Sequence, residues 1–275
     1  MFRIVRTEIW KLKRYHIIWA GVFLMLLSVL LTLFSTTALD GVVWTFSHFT
    51  EQVLKNNITM IFPMCITLLA GYIIAREERD DTLKSIMTVP VSYRNLLWGK
   101  LFVCALLSLF LGFVSAVFTI IANLTMGFPG LSITSVLQTF IQFILNCLFL
   151  YIAVMPVIAV TTRIAGGHMI GTIIAFAYGY GGMFAAGNMT LANIYPITAS
   201  MGMIQYRSYD EAVHWNIGLC GLSMIAVLLV SVVIVITTKN VSSAKTVKKQ
   251  KKIITRKGWY IRSFAHEKSF LVIFL

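Results

Sequence analysis

The residues of this chain best equipped for chemistry are the carboxylates Glu77, Glu78, Asp80 and Asp81, four of the ten acidic residues of the whole protein packed into five positions. A membrane hydrolase could use such a pair as general acid and base, but it needs partners placed within reach. The GluGlu pair would require Arg at position 82 to match the EExxxR pattern of an intramembrane protease, and Thr82 stands there. His16, His48, His168, His214 and His266 are scattered singly, and Cys65, Cys104, Cys147 and Cys220 have no CxxC spacing. The cysteines therefore suit packing better than disulfides or metal. No GxxxxGK[ST] stretch is present, so the chain has no phosphate-cradling loop of its own for hydrolysing ATP. Without a catalytic constellation, the acidic cluster reads as a docking feature or as an ordinary charged loop. Leu83, Ile86 and Met87 follow it as a short apolar helical ridge that Pro90 ends. Ser92 can cap the helix leading into the third apolar run.

The elements that must position this cluster are apolar. The chain has 275 residues, 58% of them hydrophobic and 12% charged. Six apolar runs, 17–36, 58–75, 101–123, 137–161, 168–187 and 216–238, are each near the ~20 residues a helix needs to cross a bilayer. The expected fold is an all-α integral membrane protein of six transmembrane helices, whose backbone groups must be satisfied within each helix. Between them, segments 1–16, 76–100, 162–167 and 239–275 hold 21 of the 23 Lys and Arg residues. Segments 37–57, 124–136 and 188–215 hold only Lys55 and Arg207. Positive charge collects on the cytoplasmic side, so both termini are expected inside. The net charge of +13 is then a topology signal, and no nucleic-acid partner is expected. The first run is too long for a signal peptide and lacks a small-residue cleavage site.

Four local patterns refine this domain layout. In 1–16, Phe2, Val5, Ile9 and Leu12 share one helical face while Arg3, Arg6, Lys11, Lys13 and Arg14 occupy the rest, as in an amphipathic helix lying in the inner membrane surface. In the fifth run, Gly167, Gly171, Ala175 and Gly179 recur every four residues, a smooth stripe for close helix packing. The glycines from Gly179 to Gly182 could also kink or unwind the end of that helix. Segment 188–215 is too polar to span yet rich in Met, Ile and Tyr; it is expected either as an outer re-entrant lid or as a packed loop. The basic tail 239–275 suits anionic membrane lipid.

No Asp, Glu, Lys or Arg falls inside the six expected spans. Ion-driven transporters bury such groups along their pathway, so a self-powered transporter is disfavoured. Six spans, a basic leading helix, and an acidic stretch followed by Thr82-Leu83, Pro90-x-Ser92, Arg94 and Lys100 together resemble ABC-2-type permeases, and within them the permeases of lantibiotic and bacitracin immunity systems. Asp81 stands where that family usually has Gly. The resemblance implies a dimerising, non-catalytic permease subunit of a bacterial cytoplasmic membrane. Its partners would be a cytoplasmic P-loop ATPase and a second permease chain, identical or related. The chain would bind no cofactor itself, ATP and Mg²⁺ belonging to the ATPase. Segment 76–100, with Glu77, Glu78, Asp80, Asp81, Thr82, Leu83, Ile86, Met87, Pro90 and Arg94, would couple the two subunits, and the exported cargo would be an amphipathic antimicrobial peptide or a lipid-like molecule. A self-sufficient channel or secondary transporter, and an intramembrane enzyme or sensor, are the alternatives.

Overall fold

The structure, a computed structural model, describes residues 2–12, 16–38, 43–79, 93–161, 164 and 167–237. All regular structure among them is helical: α1 (Phe2–Leu12), α2 (Ile17–Thr36), α3 (Phe46–Asn56), a π-helical turn (Asn57–Ile61), α4 (Phe62–Arg79), α5 (Tyr93–Met126), α6 (Ile133–Thr161), α7 (Gly167–Ala185), α8 (Met189–Ile194), α9 (Pro196–Met203) and α10 (Ile217–Thr237). Met1–Thr237 forms one compact unit, while the basic tail 239–275 lies outside the described residues. The long helices pack against one another, and Lys100 near the start of α5 bonds Ile73 near the end of α4. One end of the bundle therefore carries α1, the end of α4 and the start of α5, and the far end carries α8 and α9.

Among the described residues, five stretches are long and apolar enough to cross a membrane: Ile17–Thr36, Phe46–Ile74, Arg94–Met126, Ile133–Thr161 and Ile217–Thr237. α7, the expected fifth span, is not among them, because its glycines and His168 dilute its apolar content. The second run departs most from expectation. It begins at Phe46, where the Thr45 hydroxyl caps the helix by accepting from the His48 N–H at 3.3 Å, and it continues through the π turn to Arg79. Glu51 and Lys55 thus sit in a helix where a loop was expected. Their charge hides a pattern in which Phe46, Phe49, Val53 and Leu54 recur at helical spacing and are fully buried.

The core lies where α4, α5, α6 and α7 meet. Gly112 lets α5 and α6 touch: a Cβ there would come within 2.8 Å of the Phe143 carbonyl and 2.9 Å of Ile144 Cα. α7 buries Gly167, Gly171, Ala175, Gly179 and Gly182, and a Cβ on Gly179 would meet the Thr59 carbonyl of the π turn at 2.7 Å. The stretch from Gly179 to Gly182 stays helical through to Ala185, since packing on both sides supplies what glycine propensity lacks. Polar side chains cross between helices: Asn57 of the π turn donates to Ser115 at 3.0 Å, Asn56 to Thr32 at 3.0 Å, and the Tyr151 hydroxyl to the Leu101 carbonyl at 2.7 Å. The four cysteines are free and buried. By contrast α2 and α10 keep most of their surface outside the bundle, with Trp19, Phe23, Phe34, Leu222 and Ile225 all exposed.

Candidate functional site

Segment 76–100 is rooted in two helix ends. α4 supplies Glu77 and Glu78 on its last turn, and α5 begins at Tyr93. Asp80, Asp81, Thr82, Leu83, Ile86, Met87 and Pro90 lie outside the described residues. Arg94 is exposed at the start of α5, whereas Leu96, Leu97, Lys100, Leu101 and Cys104 turn inward. Lys100 is only 2% exposed, and its ammonium donates to the Ile73 carbonyl of α4 at 3.0 Å. A buried ammonium must be hydrogen-bonded, and this bond clips together the two stems from which the connecting segment hangs. Arg76 lies over the Tyr72 ring, 5.9 Å from its centroid, one helical turn away.

α1 packs beside this clip, against α5. Its inward residue is Glu8, 2% exposed, which accepts a hydrogen bond from Lys11 at 2.6 Å. Ile9 and Trp10 face outward. Of the apolar stripe that the sequence singled out, Leu12 packs against the core, Val5 is half-buried and Ile9 is exposed, while the most deeply buried described side chain of α1 is a carboxylate. Sequence reasoning missed the burial of both Glu8 and Lys100. For Lys100 a signal existed: it shares the helical face of Leu97, Leu101 and Cys104, at spacings of three and four.

The far end is built from hydrogen bonds. Asn193 of α8 donates to the His214 carbonyl at 3.3 Å and accepts from the Asn216 N–H at 3.0 Å. The Trp215 indole donates to the Tyr206 carbonyl at 2.6 Å, and the Tyr195 hydroxyl donates to the Tyr178 carbonyl of α7 at 2.5 Å. Glu51 of α3 is the anchor across the bundle. Its carbonyl accepts from Tyr206 at 3.1 Å, its carboxylate accepts from Tyr209 at 2.5 Å, and Arg207 approaches that carboxylate at 3.4 Å and Asp210 at 3.3 Å. Gln205 and Arg207 hold φ of +51° and +50°, a conformation that non-glycine residues adopt at a cost. Burial first, and then the charge of Glu51, pushes the Tyr206 hydroxyl well above the usual tyrosine range; burial first, and then the bond to Glu51, raise Tyr209 as well. Both phenols stay protonated and keep donating.

Two hollows flank this anchor. A polar one of about 160 Å³ lies between α3, the start of α6 and the 205–209 turn, lined by Thr50, Glu51, Gln138, Gln142, Arg207 and Tyr209. An apolar cleft of about 320 Å³ lies beneath α8 and α9, against the π turn and the end of α7. Along the bundle's side, Ile18, Trp19 and Val22 of α2 and Phe110, Phe113 and Phe118 of α5 form a wholly apolar groove.

Comparison with known proteins places the chain. A family model described as ABC-2 family transporter protein matches residues 4–182. The chain is also 29% identical over 117 residues to a protein of Bacillus licheniformis named bacitracin transport permease protein BCRB, covering 42% of this chain and 56% of that protein. The chain thus spans little more than half the length of that relative.

Proposed function

Because the chain belongs to the ABC-2 family of transporter proteins, we propose that it is the membrane subunit of an ATP-driven exporter, itself non-catalytic, working with a cytoplasmic P-loop ATPase that holds ATP and Mg²⁺. In this reading α7 crosses the membrane as a sixth span. Its 19 residues and the exposed Ile170, Ile173, Ile174 and Phe184 on its outer side support that assignment. Both termini face the cytoplasm, as the distribution of Lys and Arg favours. α1 lies in the inner interface, segment 188–215 closes the outer end, and the tail 239–275 meets anionic lipid. The bundle pairs with a second permease chain, identical or related.

The observation that carries the mechanism is the clip between Lys100 and the Ile73 carbonyl. A push on Glu77, Glu78 or the residues from Asp80 to Arg94 would otherwise be absorbed by two independent helix ends. With the stems tied, α4 and α5 move together. α4 continues without a break into the π turn and α3, which holds the outer end through Glu51. A change at one end can therefore reach the other along one helical run. ATP drives the cycle only if the permease's two states differ in how well the ATPase closes on them.

The cargo follows from the surfaces on offer. The name of the Bacillus relative supports a peptide antibiotic of the bacitracin type, and the apolar side of the bundle suits an amphipathic molecule taken from the bilayer. The experiment is a pull-down of the full chain from its native membrane in mild detergent. A stoichiometric ATPase, released when Glu78, Asp81 and Leu83 are replaced together while the bundle melts unchanged, is the expected result. Transport and ATPase stimulation that survive the triple replacement would remove the coupling role. A folded chain that brings down no ATPase would return the choice to a self-sufficient channel or sensor.

A further inference from the structure

Lys55 and Arg207 are the only Lys or Arg residues in segments 37–57, 124–136 and 188–215, and the fold brings both to the wall of the same cleft of about 320 Å³. The rest of that wall is mostly apolar: Ile58 of the π turn, Met183 of α7, Ile197 of α9 and Trp215 among others. No acidic residue lines it among the described residues. Lys55 is exposed, and no carboxylate lies within ion-pair distance of it among the described residues. Arg207 is held from behind by Glu51 and Asp210 at 3.4 and 3.3 Å, longer than a charge-assisted hydrogen bond. Its side chain is 41% exposed, although the guanidinium Nε is itself buried. Met183 belongs both to the cleft and to the exposed face of α7 that continues through Phe184 and Tyr180.

We propose that this cleft is a binding site for an anionic amphiphile: a phosphate-type head between Lys55 and Arg207, and the first part of an apolar tail along the accessible Met183, Met189, Val213 and Trp215. The chemistry of each part selects its half of the ligand. A forked guanidinium and a mobile ammonium recognise a phosphate together. The volume falls at the lower end of ligand pockets, enough for a head and a short stretch of one tail, with the remainder leaving past Met183 onto the side of α7. The proposal goes beyond the permease reading by giving this cleft a ligand class of its own, distinct from a peptide cargo, and it rests on that reading only for the side of the membrane. Binding can be measured on this chain without its ATPase, so failure of one leaves the other to be judged separately.

The test uses the full chain in phosphatidylcholine nanodiscs with radiolabelled dodecyl phosphate, empty discs giving the background. Saturable binding is expected. Dodecyl maltoside and dodecyltrimethylammonium should compete at least about tenfold less well than dodecyl phosphate, and inorganic phosphate should not compete at millimolar concentration. Lys55→Gln, at an exposed position, should weaken binding by about fivefold to tenfold, Lys55→Arg should restore it, and Met183→Trp should fill the cleft and abolish it. Equal competition by the neutral amphiphile would overturn the proposal, as would affinity unchanged in Lys55→Gln. Displacement by inorganic phosphate would make this an ion site and overturn the amphiphile. Binding that survives Met183→Trp would place the ligand elsewhere.

Discussion

At the α1 end of the bundle, one buried ammonium ties α4 to α5, donating to the Ile73 carbonyl, and α1 packs alongside with Glu8 buried. At the far end, Tyr195, Tyr206 and Tyr209 join α8, α9 and the loop after them to α7 and α3, and Asn193 and Trp215 tie that cap to itself, by neutral or partly exposed hydrogen bonds. The first kind of tie is concentrated, so one contact can be made or lost as a unit. The second is distributed, so it yields gradually and keeps its shape when one bond goes. Under the proposed function, this distribution would give a stiff joint where force arrives and a cap that can be loosened where cargo leaves.

The comparison breaks most visibly where a cap bond is replaced by a clash. A Cβ on Gly202 would run into the Cys220 sulfur and the Trp215 ring, so Gly202→Val should cost about 3 kcal/mol. Hydrogen exchange should rise across 189–215 and stay unchanged across 93–104. Lys100→Met should do the reverse. It removes a charged bond at a buried site, at a cost of about 2 kcal/mol, seen as a lower melting temperature and faster exchange at the start of α5 with the cap intact. If both variants loosened both ends equally, the distinction between the two ties would be lost.

Smaller changes sharpen the picture. Tyr206→Phe deletes the bond to the Glu51 carbonyl and should cost about 1 kcal/mol. Because burial raises the Tyr206 pKa, the neutral donor is kept below the ordinary tyrosine value of about 10 and lost only as pH climbs through the raised one. The difference between Tyr206→Phe and the parent should therefore be constant from neutral pH to about 9. The smallest effect should be a gain: Gln205 is exposed at φ +51°, so Gln205→Gly should stabilise by about 0.5 kcal/mol, read as a small rise in melting temperature.

Much of this was legible in the residues. α2 occupies Ile17–Thr36, the run marked by hydropathy alone, and α6 and α10 end within a few positions of the expected limits, because an uninterrupted apolar run has few other ways to satisfy its backbone. The helix over 46–57 was not legible: Glu51 and Lys55 interrupt the apolar run, and only packing of Phe46, Phe49 and Val53 against the bundle reveals why the helix starts so early. Of the expected coupling residues, Arg94 is an exposed side chain and Glu77 and Glu78 fall on the last turn of α4.

The sequence by itself determined that this chain is a set of long apolar helices with cations collected in alternate connections, because apolar length and charge placement are additive properties that each segment carries alone. Only the tertiary structure decided that Lys100 and Glu8 are buried, that Glu51 anchors the cap, and that Lys55 and Arg207 share one cleft. These are contacts between residues far apart in the chain, and a charge is worth burying only when the fold brings a partner to meet it.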